Sequence, residues 1–494
     1  MTTMIKTQME MTDGYKLDHR RQYPKGTEFV YSNWTPRSNA YFPEAEDGSV
    51  VFGIQYFIKE YLIKKFNDGF FNVPEDVAVA SFKRRIDTFL GDNEVGVDHI
   101  RELHQLGYLP IRIKALPEGK MCPIGVPMMT VMNTDRRFFW LTNFLETMMS
   151  MCLWLPMTSA TTARIYRKEL ERHARKTMFP KDVMLGFLCH DFSMRGMAGL
   201  EAAVTSGMGH LTSFVGSETI PAIAACEEYY GIDAEKELIA ATVPATEHSV
   251  MCAGGFDDEF STFKRLLSDI YPKGFVSIVS DTWDFWKVIT DYIPRLKNDI
   301  LARDGRFVVR PDSGTPEDII CGTGNANDPD HIRKGAYECL WDIFGGTYTE
   351  NGYKVLDSHI GMIYGDSITI ERQREIYKRL EDKGFAATNL VLGIGSYTYQ
   401  YRTRDSLGFA MKATWCMIDG EAKEIFKDPK TDSGMKKSLK GLISVVEKDG
   451  KYVALDCVEP YEEAGGCLET VFENGKIIRE FTLSEIRENI NTTL

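Results

Sequence analysis

The chain has 494 residues, a hydrophobic fraction of 43% and a formal net charge of −13. That length implies two domains of ordinary size, or one barrel with extra layers. The acidic balance argues against broad binding to nucleic acid or to an anionic membrane surface. The longest apolar stretches carry charges and are too short to span a bilayer. The N-terminal Met-Thr-Thr-Met-Ile-Lys-Thr-Gln has no signal-peptide core, so a cytoplasmic protein is expected. Ten cysteines without a CxxC pair point to free, buried thiols, and nine histidines show no HExxH-type metal spacing.

In chain order, residues 1 to about 150 mix short strand-like and helical runs. Leu109–Pro117 reads as a strand, and residues 139–153 are apolar and aromatic enough for a buried helix. From about 180 to 395 strands alternate with helices, the pattern of parallel βα units. Phe275–Asp281, Phe307–Arg310, Met362–Asp366 and Leu390–Gly395 are apolar runs that end in or next to Asp, Gly or Ser. Residues 370–383 place Ile370, Ile376, Tyr377 and Leu380 on one helical face, with Gly384 as the stop. Residues 317–360, rich in Gly, Asn and Asp, interrupt the pattern and read as a surface insertion. After 408, Phe409–Ile418, Asp419-Gly420 and Glu421–Phe426 read as a hairpin. The expected architecture is α/β. A βα barrel-like domain covers 181–395. A second, mixed α+β domain is built from 1–180 packed with 396–494.

The chemistry gathers at the strand ends, where βα barrels carry their sites. In Phe307-Val-Val-Arg310-Pro-Asp312-Ser-Gly314, the arginine offers a planar fork suited to a diphosphate. The aspartate, an acceptor only, suits a ribose diol or a hydrated Mg²⁺. The same two residues also read as a plain ion pair at a strand end. In Val243–Ser249, Glu247 and His248 are adjacent: a tuned acid/base or phosphoryl acceptor, or a histidine that shapes a turn. In His190–Gly196, Phe192 could stack on a flat ring and Arg195 could polarise a carbonyl, or the segment is only a turn with an ion pair. Gly393-Ile-Gly395-Ser396 could turn backbone N–H groups toward a phosphate. Lys423, Lys427, Lys430, Lys436, Lys437 and Lys440 form either a cationic patch for an anionic substrate or a solvated loop.

These segments together resemble the nicotinamide phosphoribosyltransferase family, and more loosely its nicotinate-using relatives. The resemblance runs from Thr12-Asp-Gly-Tyr-Lys16 through Phe52-Gly-Ile-Gln-Tyr56, Leu109–Ala115 and Asn133-Thr-Asp135. It takes in His190-Asp-Phe192, Glu247-His-Ser249 and Arg310–Gly314, and closes with Thr403-Arg-Asp405 and Phe426-Lys-Asp-Pro429. It implies a phosphoribosyltransferase barrel making nicotinamide mononucleotide and diphosphate from nicotinamide and phosphoribosyl diphosphate, with Mg²⁺, for NAD salvage. Carried over, Arg310 and Asp312 hold the phosphoribosyl group, with Ser277 and Asp281 on the same ring of strand ends. Gly365, Asp366, Gly395 and Ser396 bind ribose and 5′-phosphate, and Arg404, Lys412 and Lys427 meet phosphates. Phe192 and Tyr15 of a second subunit sandwich the pyridine, while Arg195 meets its carbonyl. His248 is the residue phosphorylated by ATP. A homodimer with shared sites is implied; the metal ligands stay unassigned.

Two departures accompany the resemblance. Glu218 stands where vertebrate members carry an aspartate facing the amide, one methylene longer. The run Gly393–Ser396 is shorter in glycine, with Ala410 in place of a nearby serine. The competing functions are nicotinate use, which a carboxylate at Glu218 disfavours by charge repulsion, and a catalytically silent nucleotide-binding dimer. The latter is disfavoured by the presence of His248, Arg310, Asp312 and Asp366.

Overall fold

Phe307–Arg310 lies inside a six-stranded, wholly parallel sheet in the computed structural model, which describes residues 7–178, 185–365, 367–426 and 439–492. The order across the sheet is Gly216–Ser217, Cys189–Asp191, Leu390–Ile394, Ile360–Tyr364, Phe307–Arg310, Val276–Val279. The four strands from Leu390–Ile394 to Val276–Val279 are short, mainly apolar runs buried on both faces, as a sheet clothed by crossover helices requires, whereas Cys189–Asp191 and Gly216–Ser217 are shorter and polar. The two outer strands are bridged by residues 241–246. Ala241 donates to Val215 O (2.7 Å), and Ser277 donates to Pro244 O (2.8 Å). Thr246 N reaches Ser277 O at 2.9 Å, with a parallel bridge between Ala245 and Ser277. Pro244 has no N–H to give, so this segment pairs sparsely and the barrel is closed there by a few bonds, not a full strand. The sequence suggested only a turn at 243–249; its first half is this stave, and a helix begins at His248.

The chain divides into two compact units. The parallel sheet belongs to the unit made of Thr162–Ala224 and Asp233–Tyr401; the other comprises Met1–Thr161, Ala225–Ile232 and Arg402–Leu494. In the barrel unit, the helix Ile370–Asp382 follows the 360–364 strand. Thr369 caps it, its Oγ1 accepting Arg372 N at 3.3 Å, and Ile370, Ile376, Tyr377 and Leu380 are buried. Each such side chain contributes about 1.5–3 kcal/mol by leaving water. Residues 317–360 are not a surface insertion. They form the crossover to the 360–364 strand, with helices Pro316–Cys321, Asp330–Lys334 and Ala336–Phe344 and a small hairpin. Ala336, Tyr337 and Leu340 are buried. The Gly and Asn residues that suggested a loop mark the ends of these short elements.

The second unit is built on a seven-stranded antiparallel sheet. Its order is Glu421–Glu424, Ala410–Ile418, Thr27–Thr35, Met129–Asn133, Ile111–Ala115, Glu469–Glu473, Lys476–Ile477. Strands from the two ends of the chain thus lie side by side. Trp34 stacks on Phe409 (5.1 Å between centroids, 5° between planes) across that junction. The expected hairpin forms with Asp419 and Gly420 both at positive φ, the geometry of a two-residue turn. The buried helix expected at 139–153 divides into Leu141–Phe144 and Glu146–Thr177, the latter running through Pro156. The Thr158 and Thr161 hydroxyls donate to the Trp154 and Met157 carbonyls on either side of the proline. The helix that starts at Ile54 has its first N–H groups bound by the buried Glu118 carboxylate, at 3.2 Å from Gly53 N and 2.7 Å from Gln55 N. All ten cysteines are free, with Cys252 and Cys457 exposed. No helix among the described residues is long and apolar enough to cross a membrane.

Candidate active site

At the carboxyl end of the Phe307–Arg310 strand, Arg310 and Asp312 form a bidentate pair, Nε–Oδ1 and Nη2–Oδ2 both at 3.1 Å. The fork geometry of guanidinium and carboxylate fixes both planes together. Asp312 N donates to Asp281 Oδ2 (2.9 Å), tying this loop to the one after Val276–Val279. The turn beyond is pinned by Tyr364 Oη, which donates to the Ser313 and Gly314 carbonyls, each at 3.0 Å. Gly365 lies directly beneath the pair: a Cβ there would fall 1.9 Å from Asp312 Oδ1 and 3.0 Å from Arg310 Nε. Only a glycine lets the 360–364 strand end pass under the ion pair.

The Asp281 side chain is almost wholly buried. Its Oδ1 has no hydrogen bond among the described residues and faces His248 Nε2 at 3.4 Å. The imidazole side chain is 50% exposed. Glu247, its sequence neighbour, is not its partner; that carboxylate accepts the Ser249 hydroxyl instead. The histidine–carboxylate pair read from adjacent residues is therefore made with a carboxylate 33 positions away, from the next strand end.

A cavity of about 540 Å³ runs along the inside of the barrel from this rim. Phe192, Glu218 and Arg310 line its carboxyl end, and Phe275, Arg306 and Asn389, which precede strands, line the other; Ser277, level with Val308 inside the sheet, lines the wall between them and is not at a strand end as expected. Phe192 is held where its N–H meets Ile394 O at 2.9 Å, and the Arg310 guanidinium lies 5.2 Å from its ring centroid. Two of the five guanidinium N–H groups are taken by Asp312, so the others remain for a ligand beside that ring. The Ser277 hydroxyl is buried and has no hydrogen-bond partner among the described residues.

Glu218 sits across the cavity mouth. Its main chain is set by Asp191, whose carbonyl accepts Glu218 N at 3.0 Å. The fully buried Asp191 carboxylate accepts Thr219 Oγ1 (2.7 Å), Ser217 Oγ (3.3 Å) and Ser193 N (2.9 Å). The Glu218 carboxylate accepts from His190 Nε2 (3.0 Å) and from the Thr242 hydroxyl. The His190 bond first, and the Thr242 bond against the cost of burial, hold its carboxyl below the usual glutamate range.

The remaining expected residues fall as follows. Gly395 and Ser396 follow Leu390–Ile394, and the Ser396 hydroxyl packs where Gly196 has no side chain. Arg195, on the Met194–Gly196 turn, is exposed and is not among the residues lining the cavity; the cation beside Phe192 is Arg310. Tyr15, Arg404 and Lys412 belong to the other unit. Tyr15 is 64% exposed at a surface pocket it shares with Lys16, Tyr23 and Glu146. Arg404 pairs with Asp405 at 3.3 Å, and Lys412 pairs in register with Asn33. Asp366 and Lys427 lie outside the described residues, as do Lys430, Lys436 and Lys437. No group of three or more histidine, cysteine or acidic side chains that could hold a metal occurs among the described residues.

Residues 187–476 match the model of the nicotinate phosphoribosyltransferase family, and residues 8–113 that of the nicotinamide phosphoribosyltransferase N-terminal domain. A protein of Acinetobacter baylyi named nicotinamide phosphoribosyltransferase is 50% identical over 489 residues, 97% of this chain and 96% of that one. The chain belongs to the nicotinamide phosphoribosyltransferase family. A Mycoplasma pneumoniae protein of the same name is 35% identical over 435 residues, 85% of this chain and 92% of its own. Two solved structures share the fold at low identity. The Pyrococcus furiosus nicotinate-nucleotide pyrophosphorylase has TM-score 0.58 at 16% identity, covering 100% of this chain and 97% of that one. Human nicotinic acid phosphoribosyltransferase has TM-score 0.54 at 15% identity, covering 98% and 93%. As a member of this family of pentosyltransferases, the chain carries two rim residues that the sequence reading passed over, His190 and Thr242. His190 had a readable signal: it stands two residues before Phe192, and period two along a strand end puts both side chains on one face, 4.7 Å between ring centroids. Thr242 had none.

Proposed function

We propose that the protein transfers the phosphoribosyl group of phosphoribosyl diphosphate to nicotinamide, forming nicotinamide mononucleotide and diphosphate in NAD salvage in the cytoplasm. The observation that carries this reading is the cavity mouth, where the Arg310–Asp312 pair, the Phe192 face and the Glu218 carboxylate meet. The pyridine nitrogen attacks the anomeric carbon while the bond from that carbon to the diphosphate oxygen breaks. No protein nucleophile is needed. The site holds two reactants in line, neutralises the departing charge and keeps water from the sugar. Phe192 supplies one aromatic face and Tyr15 of a second subunit the other, so the working form is a homodimer.

Arg310, beside the ring, meets the amide carbonyl with the N–H groups Asp312 does not use, a role the sequence reading gave to Arg195. Glu218 accepts the amide N–H and repels the carboxylate of nicotinate. Asp312, Gly365 and Asp366 take the ribose, Gly395 and Ser396 the 5′-phosphate, and Ser277 donates within the cavity. Arg404, Lys412 and Lys427 meet phosphates. The buried Asp281 oxygen without a donor, together with Asp312, fits a Mg²⁺ that arrives on diphosphate oxygens, since this ion is commonly held by one or two carboxylates plus substrate phosphates. When bound, that ion would supply positive charge to the leaving group. His248, half-exposed and backed by Asp281, accepts the γ-phosphoryl group of ATP and later gives it to water, which couples ATP hydrolysis to turnover.

Diphosphate release measured with nicotinamide and then with nicotinate tests the reading. Turnover with nicotinamide and little with nicotinate is expected. Preference for nicotinate would replace it with nicotinate use, and no release with either substrate would leave a silent binder.

A further inference from the structure

Glu218 is held in an uneven way. Both internal donors, His190 Nε2 and the Thr242 hydroxyl, converge on Oε1, and no described residue donates to Oε2. The two donors come from different parts of the barrel. His190 lies on the Cys189–Asp191 strand and is 8% exposed. Its ring presses on the neighbouring strand at Gly216, where an added Cβ would meet Nδ1 at 2.7 Å, and lies 4.7 Å from Phe192. Thr242 comes from the stave at 241–246 that closes the barrel between the outer strands. A glutamate has one more rotatable bond than an aspartate, so an unanchored Glu218 would sample orientations that point neither oxygen at the cavity.

Resting on the nicotinamide reading above, we propose that His190 and Thr242 are positioning residues. They clamp Oε1 so that Oε2 is presented to the amide N–H of the pyridine substrate, and this clamp sets the preference for an amide over an acid. A carboxylate aimed by two fixed donors discriminates well. It gains a charge-assisted hydrogen bond from one substrate and sets an unrelieved like charge against the other. The closure of the barrel at residues 241–246 then serves specificity as well as stability, because the stave supplies one of the two donors.

The test measures kcat/KM for nicotinamide and for nicotinate in the full-length protein and in paired variants. Thr242→Val keeps the shape and removes the hydroxyl; Thr242→Ser keeps the hydroxyl. His190→Leu removes the donor; His190→Gln keeps an N–H within reach. The amide-to-acid ratio should fall about tenfold or more in Thr242→Val and in His190→Leu, the range for losing one hydrogen bond to a charged group. The loss should fall on KM for nicotinamide more than on kcat, with KM for phosphoribosyl diphosphate changed by less than about twofold. Thr242→Ser and His190→Gln should recover most of the ratio. A purely structural role for these side chains predicts instead that Val and Ser behave alike at 242. Equal ratios in the parent and in both donor-deleted variants would overturn the clamp while leaving the functional reading intact. A parent that fails to turn over nicotinamide would overturn both.

Discussion

His190 and His248 each face a carboxylate at the barrel rim, at 3.0 Å from Glu218 and 3.4 Å from Asp281, but their side chains are 10% and 50% exposed. In the first pair the histidine is packed between Phe192 and Gly216 and the carboxylate is the exposed partner. In the second the carboxylate is buried and the imidazole reaches out. The same two chemical groups are thus turned opposite ways. A buried imidazole with a bonded partner can hold a neighbour in place but cannot reach a phosphoryl donor. An exposed imidazole backed by a fixed carboxylate can react. Between them lies Arg310, whose guanidinium stands over Phe192 and grips Asp312, which in turn binds Asp281.

The largest effect should come from that shared element. Arg310→Ala should lower kcat/KM by about 10²–10³, as for loss of one electrostatic stabiliser. It also strips Asp312 of its cation, so Arg310→Lys, which keeps the charge but not the fork, separates loss of geometry from loss of charge. Near-parent turnover in a folded Arg310→Ala protein would show that neither pair is organised around it.

The exposed histidine comes next. His248→Ala should abolish ATP-stimulated turnover and ATP hydrolysis, yet leave slow nucleotide synthesis at saturating phosphoribosyl diphosphate. Equal loss of basal and stimulated rates would make His248 a turn residue and erase the contrast with His190. An acid-labile phosphoenzyme in the parent, absent in His248→Ala, is the direct signature. Mixing Tyr15→Ala and His248→Ala proteins should restore part of the stimulated rate through hybrid dimers; no recovery on mixing would count against a site shared between subunits.

Glu218→Ser removes the outward partner of the buried histidine. The nicotinamide-to-nicotinate ratio of kcat/KM should shrink by about tenfold or more, because a site built to bind an N–H loses its acceptor and its repulsion together. A ratio that does not move would assign selectivity elsewhere.

The smallest effect is a shift in pH dependence. The groups facing Glu218 are His190, Thr242 and, at longer range, Arg310, and all three favour its ionised form. Its carboxyl therefore protonates below its ordinary value of 4.5. An acid depressed in the folded state contributes stability above its unfolded value and loses it as pH falls through the folded one. The amide preference should follow the same sign: level from pH 8 down past 5, then falling. In His190→Leu the largest depressing contact is gone while burial remains, so the fall should begin at higher pH. Coincident profiles of the ratio against pH in parent and variant would show that His190 does not tune this carboxylate.

Much of this molecule was legible in the chain itself. Short apolar runs ending in Asp, Gly or Ser announce parallel strands with a site at their ends, because buried strands need apolar side chains on both faces and a turn at each end. Arg310 and Asp312 were readable as a pair because they are two residues apart on one strand end. The helix face of Ile370, Ile376, Tyr377 and Leu380 was readable for the same local reason, a period of 3.6. Contacts between distant segments were not. That His248 faces Asp281 instead of pairing with Glu247, that Arg310 instead of Arg195 stands by Phe192, and that Thr242 reaches Glu218 depend on which loops the closed ring of strands brings together. Residues 317–360 misled for a related reason: glycine and asparagine mark where a chain turns, but only packing decides whether the turns belong to a loop or to the ends of buried helices. The sequence by itself determined the kinds of groups at the rim. The tertiary structure decided their partners, because hydrogen bonds and ion pairs act over a few ångströms in space, whatever their separation along the chain.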